Sequence, residues 1–305
     1  MEKAKVLILA GFLGSGKTTL LKQLLIEERR KGSRPAVLMN EIGSVSIDSD
    51  AVPGDIPLSE LLNGCVCCTL QDQLERQLLL LCQQHAPETI IIEATGVAHP
   101  IDILDACLSP DLLPFIKDPL IISVIDSPRW LKRENMSIQS RMLLTEQVKH
   151  ADLLLWNKTG SVTEAEREQL LEDQNRLNPK VTALFTDYAK VDNSLIRSLS
   201  SHEKGDYQTV RIGEQLKVKT FIHTFSGPVS KERFEDWLRN EAPDTIYRMK
   251  GYMQFSEKPG TVLMHYSYGL PQYEPEFMKK PLRIVIIGEE LDKDELSSQL
   301  NRLVE

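Results

Sequence analysis

Short apolar runs alternate with stretches of helical periodicity along the first 185 residues: "KVLILA" (5–10), "AVLMN" (36–40), "TIIIEA" (89–94), "LIISVID" (120–126), "DLLLWN" (152–157) and "VTALF" (181–185). Runs without polar alternation are what strands covered on both faces look like. Between them, Leu20, Leu21, Leu24 and Leu25 repeat at helical spacing, as do Leu74, Leu78 and Leu81. The segment 163–177 opens on a Thr with a Glu three residues later, the signature of a capped helix start. Strand–helix alternation of this kind predicts a largely parallel sheet flanked by helices, an α/β domain.

The pattern changes after the polar "SLSSHEKGDY" (198–207). Strand candidates lengthen and alternate in "KVKTFIHTF" (217–225), "YRMKGYMQF" (247–255) and "TVLMHYSY" (261–268), with a last one in "LRIVIIG" (282–288). Helix candidates at 230–241 and 292–304 accompany them. This reads as an antiparallel sheet with helices on one side, so the boundary is placed at residue 205: an α/β domain over 1–205 and a smaller α+β domain over 206–305.

Composition narrows the function classes. The 305 residues carry a formal net charge of -8, against a phosphate-backbone binder, so no nucleic-acid partner is expected. No run of 18 apolar residues exists to span a bilayer, and no membrane partner is expected. The opening "MEKAKVLILAGF" has an apolar run only a strand long, leading into a glycine loop rather than a cleavage site. Five cysteines, odd in number and partly clustered, do not form a disulfide framework, and a reducing cytoplasm fits best. A homo-oligomer is left open.

"GFLGSGKT", Gly11 to Thr18, matches G-x-x-x-x-G-K-[ST] after a strand candidate and before a helix candidate, the context the P-loop requires. Glycines Gly11, Gly14 and Gly16 let the loop wrap phosphate oxygens, and the backbone N–H groups of Ser15 through Thr19 open a helix aimed at an anion. Lys17 is expected to reach the β- and γ-phosphates, and Thr18 to hold Mg²⁺. Ligands of open α/β sheets sit at the strands' carboxyl ends, where "IIIEATG" supplies Glu93 and Gly96. Glu93 is a candidate to hold the metal's water or orient an attacking one, Gly96 to sense the γ-phosphate. Asn157 and Lys158 stand where GTPases carry N-K-x-D, but the fourth position is Gly160, which cannot make the aspartate's pair with guanine; guanine versus adenine preference stays open, with Asn157 and the Lys158 stem as candidates to pack against the base.

"LLNGCVCCTL" (61–70) crowds Cys65, Cys67 and Cys68 into four positions. Three readings compete. In an extended segment Cys65 and Cys67 point to one side and chelate a soft ion such as zinc, Cys68 joining through a turn. A redox pair is the second, although the spacing is not C-x-x-C and adjacent Cys67 and Cys68 make a strained disulfide. Core filling by small thiols is the third. Glu41 in "LMNEIG" and His99 in "GVAHP" are candidates to complete a metal site; His99 reads equally well as a helix-entry residue before Pro100. Asp48 and Asp50 are better read as surface acids, and Cys82 and Cys107, on helical patterns, as core.

The motifs "GFLGSGKTTLL", "NEIG", "LLNGCVCCTL", "IIIEATG" and "EQVKHADLLLWNK", in this order, resemble the CobW-type metal-chaperone GTPases, relatives of the nickel-enzyme maturation GTPases. The likeness covers about the first 200 residues, and the segment from "FIHTFSG" onward resembles the family's smaller C-terminal domain. It implies a P-loop domain that binds and hydrolyses GTP with Mg²⁺ and carries zinc or another transition metal on the cysteine motif. It also implies that nucleotide state governs metal delivery to a metal-requiring client protein. Carried onto this chain, Gly11 to Thr18 bind phosphates and Mg²⁺, Cys65, Cys67 and Cys68 bind metal, and Glu93 with Gly96 read the γ-phosphate. Gly160 departs from the family pattern, and the histidine-rich tract of some members is absent. A small-molecule kinase is the alternative enzyme class, but no arginine-rich lid stands near the nucleotide motifs and the cysteines go unexplained. A non-catalytic metal or nucleotide sensor is the alternative without turnover.

Overall fold

A computed structural model of the chain describes residues 2–39, 56–60, 70–200, 218–267 and 269–304. They form two compact units, one of residues 1–107 with 114–216 and one of 108–113 with 217–305.

Among the described residues the first unit is built on seven strands: β1 (Ala4–Ala10), β2 (Pro35–Met39), β3 (Leu58–Glu60), β4 (Thr89–Glu93), β5 (Ile116–Asp126), β6 (Leu153–Asn157) and β7 (Thr182–Phe185). They lie in the order β3-β2-β4-β1-β5-β6-β7, and every pairing is parallel. Helices α1 (Lys17–Arg30), α2 (Leu70–His85), α3 (Pro100–Cys107), α4 (Ser127–Leu131), α5 (Ile138–Lys149), α6 (Glu164–Leu177) and α7 (Asn193–Ser200) connect them. The apolar stripes dictate this layering. Leu20, Leu21, Leu24 and Leu25 of α1 pack with Ile196 and Leu199 of α7 on Leu9, Val37, Ile91 and Val124 of one sheet face. Against the other face, Leu144 and Val148 of α5 and Leu170 of α6 enclose Trp130, Leu154 and Trp156. Each such buried side chain contributes about 1.5–3 kcal/mol of transfer free energy.

The expected α/β class and parallel sheet are therefore found, with two differences in extent. The three-residue β3 is too short to show a period. β5 begins four residues before the apolar run at Leu120, because Pro119 interrupts it: the β1–β5 register shifts between Lys5 and Leu7, where the proline has no N–H to give the ladder.

The second unit holds β8 (Val218–Thr224), β9 (Ile246–Phe255), β10 (Lys258–Ser267), β11 (Leu270–Glu276) and β12 (Arg283–Glu289), with α8 (Lys231–Asn240) and α9 (Lys293–Asn301). The order is β11-β10-β9-β12-β8, antiparallel throughout. Ser230 and Asp292 cap the two helices, whose Phe234, Trp237, Leu296 and Leu300 pack on Met249, Met253, Ile284 and Ile286. β11 escaped the hydropathy pattern because it carries Pro271 and Pro275, tolerated at a sheet edge where only one neighbour needs its N–H groups. Among the described residues no helix is long and apolar enough to cross a membrane.

Candidate functional site

The loop between β1 and α1 is shaped by left-handed glycines, Gly14 at φ 75° and Gly16 at φ 117°. Gly16 is the N-cap of α1, no side chain caps the helix and no acidic residue stands in its first turn, so the positive end of the helix dipole faces an uncrowded loop. Ser15 is wholly buried, and its hydroxyl has no hydrogen-bond partner among the described residues. Lys17, also buried, folds its ammonium back over the loop to the carbonyls of Gly11 (2.9 Å) and Phe12 (3.4 Å). Donors at a helix start with a lysine beside them are the chemistry an oligophosphate needs. Thr19 lies exposed on the first turn of α1.

β4 pairs directly with β1, so its carboxyl end comes to the loop. Glu93, the last residue of β4, accepts a 2.7 Å hydrogen bond from the Thr18 hydroxyl. Three residues on, Gly96 sits so close to the loop that a Cβ there would lie 2.6 Å from the Leu13 nitrogen. Two oxygen donors this close, beside the lysine, match the hard-ligand preference of Mg²⁺.

On the other side, β6 ends at Asn157, which is buried and ties three segments together. Its amide nitrogen donates to the Ser15 carbonyl (2.7 Å) and its oxygen accepts from the Ala189 N–H (2.9 Å). Lys158, at φ 63°, donates to Asp126 (2.7 Å), which also caps α4. Gly160 donates its N–H to the Asp187 carboxylate at 2.9 Å.

The structure thus gathers Gly11, Gly14, Ser15, Gly16, Lys17, Thr18, Glu93, Gly96 and Asn157 around one loop, with Lys158 on the neighbouring turn. Glu41, Cys65, Cys67 and Cys68, with Asp48 and Asp50, lie outside the described residues. Cys82 and Cys107 are core residues, as their helical positions suggested; burial pushes the Cys82 thiol up to about 11 and Cys107 higher still.

His99 takes the helix-entry role: its Nδ1 accepts the Ile101 N–H at 3.2 Å at the start of α3, which leaves the neutral ring's proton on Nε2. That nitrogen faces Glu146 Oε2 at 3.7 Å, and buried His150 meets the same oxygen through Nε2 at 2.7 Å. The hydrogen bond from His150, then the nearby His99 Nε2, hold the Glu146 carboxyl well below the usual carboxylate range, while burial holds His150 below its ordinary value. The three form a polar clamp between the loop after β4 and α5.

Three contributors escaped the sequence reading. Arg129 donates to the Leu13 carbonyl at 2.8 Å and lies over the Phe12 ring. Ala189 and Asp187 meet the turn after β6 only because β7 lies beside it. None belongs to a local motif; the one available signal was the missing carboxylate at Gly160. A cavity of about 500 Å³ opens at the opposite edge of this unit, around Lys5, Glu28, Lys31, Glu88 and Thr89, and contains none of the site residues.

A family model described as CobW/HypB/UreG, nucleotide-binding domain, matches residues 5–185, and one described as Cobalamin synthesis protein cobW C-terminal domain matches 218–304. The chain is similar to the zinc chaperone YjiA of Escherichia coli (strain K12), 28% identical over 97% of each chain. It is similar to the zinc chaperone CobW of Sinorhizobium sp, 24% identical over 99% of this chain and 98% of that one. The solved structure of Zn(II)-bound YjiA GTPase from E. coli shares the fold, with a TM-score of 0.52, 24% identity and full coverage of both chains.

Proposed function

The chain belongs to the CobW/HypB/UreG nucleotide-binding family, and from that premise we propose that it is a GTP-hydrolysing chaperone for zinc or a similar transition metal, delivering its cargo to a client protein according to nucleotide state. The observation that carries the reading is the direct link from loop to strand end, Thr18 to Glu93 at 2.7 Å with Gly96 packed on Leu13. A γ-phosphate entering beside Lys17 meets both elements at once. That the similar proteins of E. coli and Sinorhizobium sp are zinc chaperones, and that YjiA GTPase binds Zn(II), supports zinc as the cargo.

In this reading the amides of Gly14 to Thr19 cradle the phosphates, and Lys17 exchanges its carbonyl partners for the β- and γ-phosphate oxygens. Thr18 and Glu93 would hold Mg²⁺, directly or through its water, and the ion would neutralise charge on the β- and γ-oxygens. Water attacks the γ-phosphorus, the bond to the bridging oxygen breaks, and GDP and inorganic phosphate leave. Glu93, fixed by Thr18, orients the water, and the Gly96 N–H is placed to read whether the γ-phosphate is present.

Cys65, Cys67 and Cys68, with Glu41, are proposed as the cargo ligands: thiolates with one carboxylate suit zinc. β3 ends at Glu60 on the carboxyl edge of the parallel sheet, the edge that carries Glu93, which supports this reading. A tenfold difference in metal affinity between nucleotide states needs about 1.4 kcal/mol of coupling, within reach of a rearranged loop. The test is zinc titration of the protein with a non-hydrolysable GTP analogue and with GDP, repeated on Cys65→Ser/Cys67→Ser/Cys68→Ser. Different affinities in the two states, and loss of zinc with nucleotide binding kept in the variant, are expected. Equal affinities reject the switch.

A further inference from the structure

Guanine presents a ring N–H beside an amino group, two parallel donors that fit the two oxygens of one carboxylate. The turn after β6 offers Asn157 and Lys158 but only glycine at position 160. The space a side chain at 160 would enter is not empty of charge. A Cβ on Gly160 would lie 3.4 and 3.5 Å from the two oxygens of Asp187 and 3.7 Å from its Cγ. A second carboxylate at 160 would crowd the first, so the two positions are alternatives for one negative charge.

Asp187 is exposed, and its Oδ1 accepts the Gly160 N–H at 2.9 Å, whereas Oδ2 has no hydrogen-bond partner among the described residues. An oxygen with two lone pairs can accept a second donor while keeping the first. The segment carrying Asp187 is fixed. Thr186 accepts from the Thr159 N–H (3.3 Å) and donates its hydroxyl to the Lys190 carbonyl (2.7 Å). Ala189 is bound to Asn157, and the Tyr188 carbonyl accepts from Gln23 on α1 (2.8 Å). The strand order β1-β5-β6-β7 sets the end of β6 two strands, about 10 Å, from the phosphate loop, within a nucleotide's length.

Resting on the GTP reading above, we propose that Asp187 is the residue that recognises guanine in this protein, its carboxylate supplied from the loop after β7 in place of one at position 160. Asp187 accepts the ring N–H and the amino group of the base, and the exposed Lys158 stem lies on the neighbouring turn to cover the ring. Adenine offers an acceptor at the equivalent ring nitrogen and is rejected by the carboxylate.

The test is equilibrium binding of GDP, IDP, XDP and ADP to the full chain and its variants. The unmodified protein is expected to bind GDP at least about tenfold tighter than IDP, which lacks the amino group, and tighter again than ADP. In Asp187→Asn the amide offers one donor and one acceptor, the complement of xanthine, and the preference is expected to turn from GDP to XDP. Asp187→Ala should lose discrimination, and Gly160→Asp/Asp187→Ala, which returns the charge from the other strand, should recover it. Asp187→Asn and Asp187→Ala proteins that still prefer GDP by the original ratio would overturn the inference, leaving Asp187 as a mere brace for the turn at Gly160. If both single variants bind no nucleotide, the double variant decides: recovered GDP preference upholds the proposal and its absence overturns it. Equal GDP and ADP affinity in the unmodified protein strikes instead at the GTPase reading on which this one rests.

Discussion

A methyl group at Gly96 is the smallest change that tests whether the loop after β4 and the phosphate loop work as one piece. In Gly96→Ala the new carbon would meet the Leu13 nitrogen at 2.6 Å, its Cα at 3.0 Å and its Cβ at 3.1 Å. The first contact is roughly 0.8 Å inside ordinary van der Waals distance, and backbone cannot swing aside as a side-chain tip would. Gly96 is itself held: Ala94 donates to Leu9 at 3.0 Å and Ala98 to Thr95 at 3.1 Å on either side. Overpacking of this size costs about 1–3 kcal/mol of stability, read as a lower urea midpoint. The larger effect is expected on chemistry, because displacing a positioning group by about 1 Å costs on the order of a hundredfold in rate. Single-turnover phosphate release from GTP should fall by that factor, while GDP affinity, which involves no γ-phosphate, changes by less than about threefold. Gly160→Ala is the control for an added methyl, since it meets nothing nearer than 3.4 Å; because it borders the Asp187 carboxylate it is compared at saturating GTP, where its single-turnover rate should be unchanged. A Gly96→Ala protein hydrolysing GTP at the wild-type rate would refute the idea that this contact sets the γ-phosphate geometry.

Asn157→Ala removes both bonds that tie the phosphate loop to the Ala189 segment and leaves a buried N–H unmet. Thermal unfolding should report a loss of about 2–3 kcal/mol, accompanied by weaker nucleotide binding. The depressed Glu146 carboxyl contributes stability that is fully present above its unfolded value near 4.5 and is lost as pH falls through the lower folded value. The melting temperature of wild type should therefore drop more steeply than that of Glu146→Gln below about pH 5. Cys82 and Cys107, buried with raised thiol values, should stay unmodified by a thiol reagent at about pH 8 in the native protein and react only on unfolding, as mass spectrometry of the labelled peptides will show.

Much of the architecture was legible because hydrophobic pattern is a local property. The continuous runs that became β1, β2, β4, β6 and β7 and the leucine stripes of α1 and α2 announce strands covered on both faces and helices lying over them. The phosphate loop could be read for a similar reason: eight neighbouring residues, Gly11 to Thr18, carry all the backbone freedom and charge it needs, and the strand before and helix after fix its context. Where a strand was cut by Pro119, or shortened to three residues as in β3, the pattern fell silent because neither leaves a period to detect.

Local pattern was enough to mark the class of sheet, the phosphate loop and the candidates Glu93, Gly96 and Asn157, each standing at or just past the end of an apolar run. It could not determine which of them touch, since Thr18 and Glu93 are 75 positions apart and meet only because β4 was laid beside β1. Nor could it show that Asp187 stands against Gly160, because that pairing depends on β7 lying next to β6 and leaves no trace in local spacing. Short-range order follows from side-chain period and backbone freedom, whereas a carboxylate supplied from 27 residues away follows only from which strands are neighbours.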